Sequence, residues 1–261
     1  MNKEINSNGF GYIDLGLPSG TLWATANVGA SKPSDFGLYF QWGDTKGYTS
    51  NQVGEGEGKK AFTWDDYKWK WNNTKINIKY TTTDKALEVE DDAAHVNMGG
   101  DWHMPTPTQI QELFDNTTSE WTTQDGVNGR LFKSKKDDSK SIFIPAAGYA
   151  WDGSLYGSRR SGYVWSSMLS KDYVYCGQLL LFNSYYVSLY DYYRFVGRSV
   201  RGVIDKNMNF SELIKNEIKN NFKVKVSADY GGYVNVELLY DGEVISSDFC
   251  QVITDFNSLD E

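Results

Sequence analysis

Leu179 to Phe195 reads LLLFNSYYVSLYDYYRF, and the spacing of its apolar residues decides how the middle of this chain is built. From Phe182 to Phe195 it carries five tyrosines and two serines, and no Lys, Glu, Gln, Met or Trp. In an extended strand successive side chains point to opposite faces. Leu180 and Phe182 then share one face, with Leu179, Leu181 and Asn183 on the other. Further on, Val187 and Leu189 are expected to point inward while Tyr186, Ser188 and Tyr190 point outward. A period-two pattern of this kind lets a constant core carry a changeable outer surface.

The chain around this stretch has 261 residues, 40% hydrophobic and 23% charged, as expected of a soluble globular protein of one large domain, or one large and one small. Aromatic residues reach 15%, and 25 glycines against 5 prolines predict many tight turns between short aromatic strands. Net charge is −8 with a pI near 4.9, which disfavours phosphate tracking, so no nucleic-acid partner is expected. The one dense basic cluster, Lys133 to Lys140, is diluted by two aspartates and reads as a solvated hairpin loop. Cys176 and Cys250 form no CxxC pair, so neither a disulfide framework nor a cysteine zinc site is expected. The first residues lack the apolar core of a secretory signal and no run is long enough to span a membrane, so the expectation is cytoplasmic synthesis without membrane insertion.

Leu17-Pro18-Ser19-Gly20 predicts a turn between two short strands, since Pro presets φ and Gly accepts positive φ. Residues 46–80 are polar, Gly-rich and studded with tryptophan, and read as a long insertion. Pro107 to Asn116 predicts a helix capped by Thr106, with Ile110, Leu113 and Phe114 on its buried face. Leu131 to Lys135 and Ser141 to Pro145 predict strands around the basic turn. Beyond Val203 the character changes. Asn209 to Phe222 predicts an amphipathic helix with an Asn209/Glu212 capping box and a stripe of Leu213, Ile214, Ile218 and Phe222. Three strand-like runs follow, with Gly231-Gly232 and Asp241-Gly242 as hairpin turns. The expected domains are 1–204 and a small α+β module at 205–261.

Catalytic signatures are scarce. His95 and His103 lack an HExxH context, and His103 between Trp102 and Met104 reads as structural. Gly54 to Lys60 (GEGEGKK) has the wrong spacing for a phosphate loop, and no G-x-S-x-G elbow occurs. Asp65-Asp66, Asp91-Asp92 and Asp137-Asp138 are adjacent pairs, which usually cap turns rather than face each other across a cleft. No EF-hand loop is present. Neither a catalytic residue, a metal ligand nor a cofactor is assigned.

Six ordered motifs between Tyr12 and Val203 carry a resemblance. They are YIDLGLPSGTLWATANVGA, GLYFQWGDT, GGDWHMPTPTQIQELFD, SIFIPAAGY, GYVWSS and GRSVRGV. Together they resemble the major paralogous domain of gut Bacteroidetes and their phages. The resemblance implies an α+β fold, a C-type lectin-like domain with short antiparallel strands, about two helices and long loops, related to the formylglycine-generating-enzyme fold. Many relatives have Cys where this chain has Ala26 and Thr117, so the resemblance also implies that their bridge is absent here. Lone Cys176 does not reproduce the reactive cysteines of the enzymatic branch.

Residues 153–201 also resemble the variable region of proteins diversified by retroelements. There, adenines of Asn codons of the form AAY are miscopied, which reaches every residue type except Lys, Glu, Gln, Met and Trp. Gly153 to Val164 and Leu179 to Arg201 contain none of these five, whereas Trp165, Met168, Lys171 and Gln178 lie between them. The bland alternative is a Tyr-rich strand pair in a β domain.

The resemblance implies a contact surface, since Tyr and Ser suit binding faces and Arg adds cationic anchors. Its expected members are Ser158, Arg159, Arg160, Ser161, Tyr173, Tyr175, Leu181, Asn183, Tyr185, Tyr186, Ser188, Tyr190, Asp191, Tyr192, Tyr193, Phe195, Val196 and Arg198. Arg194 and Arg201 match framework positions. The expected role is recognition of a host cell-surface protein or glycan by a phage or prophage tail-fibre protein. The C-terminal module would serve trimerisation or virion attachment. A non-diversified cell-surface adhesin or carbohydrate-binding module, and a degenerate formylglycine-generating enzyme, are the alternatives.

Overall fold

In the computed structural model, residues 4–5, 8–70, 79–206, 222–228, 233–240 and 243–251 are described. Strands β1 (Glu4–Ile5), β2 (Gly11–Asp14) and β3 (Thr21–Ala24) open the chain. Helices α1 (Ala93–Met98) and α2 (Pro107–Asn116) follow, then β4 (Thr117–Gln124), β5 (Val127–Ser134) and β6 (Ser141–Pro145). The central region holds β7 (Tyr149–Trp151), β8 (Ser154–Tyr156), β9 (Ser161–Leu169), β10 (Cys176–Asn183) and β11 (Val187–Tyr193). Last come β12 (Val203–Asp205), β13 (Phe222–Ala228), β14 (Tyr233–Tyr240) and β15 (Glu243–Gln251).

These strands form five small antiparallel sheets: β1-β2-β3-β12, β4-β5-β6, β7-β8, β9-β10-β11 and β13-β14-β15. This corrects the expected fold class. The protein is mostly β, with two α-helices among the described residues, and does not form a clear α+β C-type lectin arrangement. The physical reason is local. Thr, Val, Tyr and Trp favour a pleated surface and frequent glycines stop helices early, so among the described residues only Ala93–Met98 and Pro107–Asn116 form α-helices.

Helix α2 forms where its caps predict. Thr106 Oγ1 accepts from Gln109 N at 3.2 Å and Gln109 Oε1 accepts from Thr106 N at 2.9 Å, a closed capping box with Pro107 beginning the helix. Ile110 and Leu113 are buried and Phe114 packs beside them. The Leu17–Gly20 turn closes through Gly20 N to Leu17 O at 3.0 Å, with Gly20 at φ +79. The described parts of the 46–80 stretch, residues 46–70 and 79–80, are not a peripheral insertion. Phe62, Tyr67 and Tyr80 are core residues, and Asp66 accepts from the backbone of Phe62 and Thr63 and from Gln41, which anchors that loop.

Chain contacts divide the protein into Met1–Lys206 and Asn207–Glu261. Asp205 belongs to the first unit because β12 pairs with β3 and Gln109 Nε2 donates to Asp205 Oδ1 at 2.7 Å. In the second unit β14 lies between β13 and β15. Phe222, expected on a helix, begins β13 instead. The rest of that helix, from Asn209 onward, and the turns at Gly231-Gly232 and Asp241-Gly242 lie outside the described residues.

Strand β10 is the axis of the first unit. Leu179 and Leu181 enter one core with Phe40, Trp42, Trp102 and Trp165, while Leu180 and Phe182 enter another with Ile110, Leu113, Phe132 and Ile142. Both faces of β10 are therefore covered, and its alternation separates two cores rather than a core from solvent. Gly162 lies opposite Phe182, and a Cβ there would meet the Phe182 ring at 2.0 Å, so only glycine admits this approach.

Candidate ligand-contact face

Strand β11 sits at the edge of its sheet, paired to β10 from Cys176↔Tyr193 to Phe182↔Val187. Val187 and Leu189 pack against the core on the α2 side, as their spacing predicts. Tyr186 and Tyr190 are exposed and Ser188 is half-buried. Apart from Val89 and Val96, every large exposed apolar or aromatic residue described in the first unit lies between Trp151 and Tyr193. Tyr185 at the hairpin tip is 91% exposed and Tyr190 52%. Exposed rings are thus concentrated on one region, which marks an interaction surface.

The rings touch one another in a chain. Tyr173 to Tyr175, Tyr175 to Tyr193 and Tyr193 to Phe195 have centroids 5.6, 5.9 and 5.5 Å apart, and Phe195 reaches Trp64 at 5.9 Å. A second group joins Tyr149 to Tyr156 and Tyr163, and Trp151 to Tyr156. Arg198 connects the two groups. Its guanidinium carbon lies 4.4 Å from the Tyr192 ring, 4.5 Å from Tyr163, 5.2 Å from Trp165 and 5.3 Å from Tyr149. Arg198 is fully buried, and Nε, Nη1 and Nη2 have no hydrogen-bond partner among the described residues. Burial pulls its pKa down to about 10, which still leaves it charged at neutral pH. Ring faces are what stabilise that charge.

The structure sorts the expected contact residues into three groups. Tyr173, Tyr175, Tyr185, Tyr186, Tyr190, Tyr193, Arg159 and Arg160 are exposed. Ser158, Ser161, Asn183, Ser188, Asp191, Tyr192 and Phe195 are half-buried. Leu181, Val196 and Arg198 are buried and cannot be surface contacts without rearrangement, so for these three the expectation is corrected. Leu181 is covered because it lies on the central strand β10, packed on both faces, and Arg198 because the Tyr163, Trp165 and Tyr192 rings surround it. Several half-buried members have internal duties. Asn183 Oδ1 accepts from Tyr185 N and Tyr186 N, shaping the hairpin turn, and Asp191 Oδ2 accepts from Ser170 Oγ at 2.6 Å. Arg159, at φ +64, donates to Gly126 O and so leans on the β4–β5 turn.

Sequence reasoning missed Arg130, Tyr149, Trp151, Tyr156 and Tyr163. Arg130 Nη1 donates to Asn183 O at 2.8 Å and Tyr186 O at 2.9 Å, holding the β10–β11 hairpin from the neighbouring sheet. Nothing local to Arg130 signals that reach. Tyr149 and Trp151 precede the segment read as variable and Tyr156 and Tyr163 lie within it, and their clustering at 149–163 was the available signal.

Along β11 runs a groove of about 1250 Å³. Its walls include Thr108 and Gln111 of α2, Lys171, Tyr173 and Tyr175 of the β9–β10 connection, and Gln178 on β10. Cys176 lies in it but is buried, and its thiol is pushed up to about 11 by burial and then by Asp191, which makes it a poor thiolate nucleophile. The paired aspartates have structural partners. Asp92 caps α1 through His95 N and also accepts from Met104 N, while Asp91 binds Lys79, Tyr80 and Lys68. Among the described residues no group of three or more His, Cys, Asp or Glu is placed to hold a metal, and no helix is long and apolar enough to cross a membrane. No family model, curated protein or solved structure matches this chain.

Proposed function

We propose that this chain is a ligand-binding protein that recognises a cell-surface molecule through the tyrosine-rich face around β11. The concentration of exposed, mutually touching rings on that face carries the reading. Tyrosine gives a large, rigid contact area with a hydrogen-bonding tip at low entropic cost. A charged, buried Arg198 beneath the rings supports a preorganised surface, and preorganisation lowers the entropic cost of binding.

Within this reading, residues 153–201 are a retroelement-diversified variable region, and the protein is the receptor-binding part of a phage or prophage tail fibre. The absence of Lys, Glu, Gln, Met and Trp from 153–164 and 179–201 supports it. The test is genomic: a near-copy of the DNA encoding residues 153–201, differing mainly at adenines and lying beside a reverse transcriptase gene, is the expected finding. Flanking DNA with neither removes the diversification and leaves a fixed adhesin as the reading. Residues 207–261 are the natural segment for oligomerisation or attachment to the virion. Deleting them and measuring the mass in solution tests this, and an unchanged oligomer argues against it.

A further inference from the structure

We propose that the outer edge of β11 is a strand-addition site: an extended polypeptide segment of the binding partner pairs with it as an added strand. This rests on the contact-face reading above and names the ligand class of that face.

Two hydrogen bonds fix which backbone groups β11 leaves free. Asn183 N donates to Tyr186 O at 3.0 Å, and Arg194 N donates to Tyr175 O at 3.1 Å. In an antiparallel ladder, bonded and non-bonded pairs alternate. Counting inward from both ends of β11 gives the same phase. Tyr186, Ser188, Tyr190, Tyr192 and Arg194 direct their amides and carbonyls toward β10, whereas Val187, Leu189 and Asp191 direct theirs outward. Among the described residues, nothing bonds the outward backbone groups of these three.

The groove crosses the sheet over Met168, Cys176 and Gln178 and reaches that edge at β11. Leu189, Tyr190, Asp191, Tyr192 and Tyr193 all line it. Side chains on one face of a strand would contribute only every second residue. Five consecutive residues therefore mean that the groove includes the edge of the strand itself.

The other long edge of this sheet is occupied. Trp165 N donates to Ser199 O, Leu169 N to Lys85 O and Ser167 N to Pro105 O along the far side of β9. Strand β11 lacks most devices that blunt an open edge: VSLYDYY contains no Lys and no Pro, its pairing to β10 has no bulge, and its one charge, Asp191, is held by Ser170 Oγ at 2.6 Å. Its outward amide and carbonyl groups recur at two-residue spacing, about 6.8 Å. An extended peptide repeats donors and acceptors at that spacing, and a sugar chain does not. The peptide's alternate side chains would then fall between the groove wall of Lys171, Tyr173 and Gln178 and the opposite side at Tyr190 and Tyr192.

The experiment uses the full chain and two probes, a display library of random linear peptides and a glycan array. Each is repeated with the Tyr190→Ala/Tyr193→Ala double variant, and amide exchange is measured in the complex formed. The expected result is enrichment of peptides that the double variant binds less well. In the complex the Leu189 and Asp191 amides exchange at least about tenfold more slowly, while those of Ser188 and Tyr190, already paired, change little. Peptides that bind without slowing Leu189 and Asp191 overturn strand addition. Glycan binding alone, weakened by the double variant, overturns the peptide class and leaves the contact face standing. Binding of neither probe overturns both.

Discussion

Arg198 holds its guanidinium 4.4 Å from the Tyr192 ring without a single hydrogen bond to its nitrogens. Arg201, three residues later and equally buried, has its guanidinium bonded to Asn27 Oδ1, Ala24 O and Phe143 O at 2.8–3.0 Å. Two buried arginines thus stabilise the same unit by different means, one beneath the contact face and one inside the scaffold. Burial lowers both, Arg198 to about 10 and Arg201 to about 9.

That contrast gives the first prediction. Replacing a buried charge with a well-packed apolar chain is often close to neutral, whereas removing a bonded donor leaves carbonyls unsatisfied. Arg201→Met is expected to cost about 3 kcal/mol or more, and Arg198→Met less than about half of that, in chemical denaturation. Arg198→Met is also expected to change the near-ultraviolet circular dichroism of tyrosine as Tyr149, Tyr163 and Tyr192 lose their shared cation. Equal losses of stability in the two variants contradict the assignment.

Burial separates Leu181 from the tyrosines that follow it. Leu181→Ala is expected to cost about 2–5 kcal/mol because it opens the core shared with Trp42 and Trp165, while Tyr190→Ala stays within about 0.5 kcal/mol. Thermal or denaturant unfolding of the two variants checks this. A large loss for Tyr190→Ala would mean that the ring supports the fold rather than a ligand.

Arg130 sets the hairpin tip. In Arg130→Met the carbonyls of Asn183 and Tyr186 lose their shared donor, at a cost of about 1–3 kcal/mol. Amide exchange at Ser184 to Tyr186 is expected to speed up before exchange elsewhere in β10. Uniform acceleration across the sheet would point to general destabilisation instead.

Asp91 is expected to make the fold sensitive to acid. Burial alone would raise its carboxyl, but hydrogen bonds from Lys79, Tyr80 and Lys68 outweigh it and hold the pKa below the ordinary 3.8. A depressed folded-state value stabilises the protein above pH 3.8, and that contribution is lost as pH falls through the folded value. Asp91→Asn is expected to be less stable at pH 7 by about 2–4 kcal/mol and to show a flatter stability profile below pH 4. A variant as acid-sensitive as the parent contradicts this origin.

Local signals were legible in the sequence where one residue decides the geometry. Thr106 and Pro107 placed the start of α2, Gly20 placed the turn before β3, and the alternation of Val187 and Leu189 oriented β11. Signals that depend on what packs behind a strand were not legible. Leu181 and Arg198 sit in a stretch rich in surface tyrosine, and only the second core layer shows that they are covered. The fold class failed for a related reason: ordered motifs carry a resemblance, while the balance of strand to helix depends on how far each short segment extends. Phe62, Tyr67 and Tyr80 looked like loop aromatics because their neighbours are polar, yet each fills the interior. Arg130 reaches the hairpin from another sheet, a contact that sequence spacing does not encode.

The most direct measurement is binding of the purified full chain to a panel of bacterial surface components, with the Tyr190→Ala/Tyr193→Ala variant as the comparison. The reading of β11 as a recognition face predicts a ligand in the panel and a loss of affinity of about 30-fold or more, roughly 2 kcal/mol, with an unchanged unfolding midpoint. Undiminished binding by the double variant would place recognition elsewhere on the molecule and contradict it.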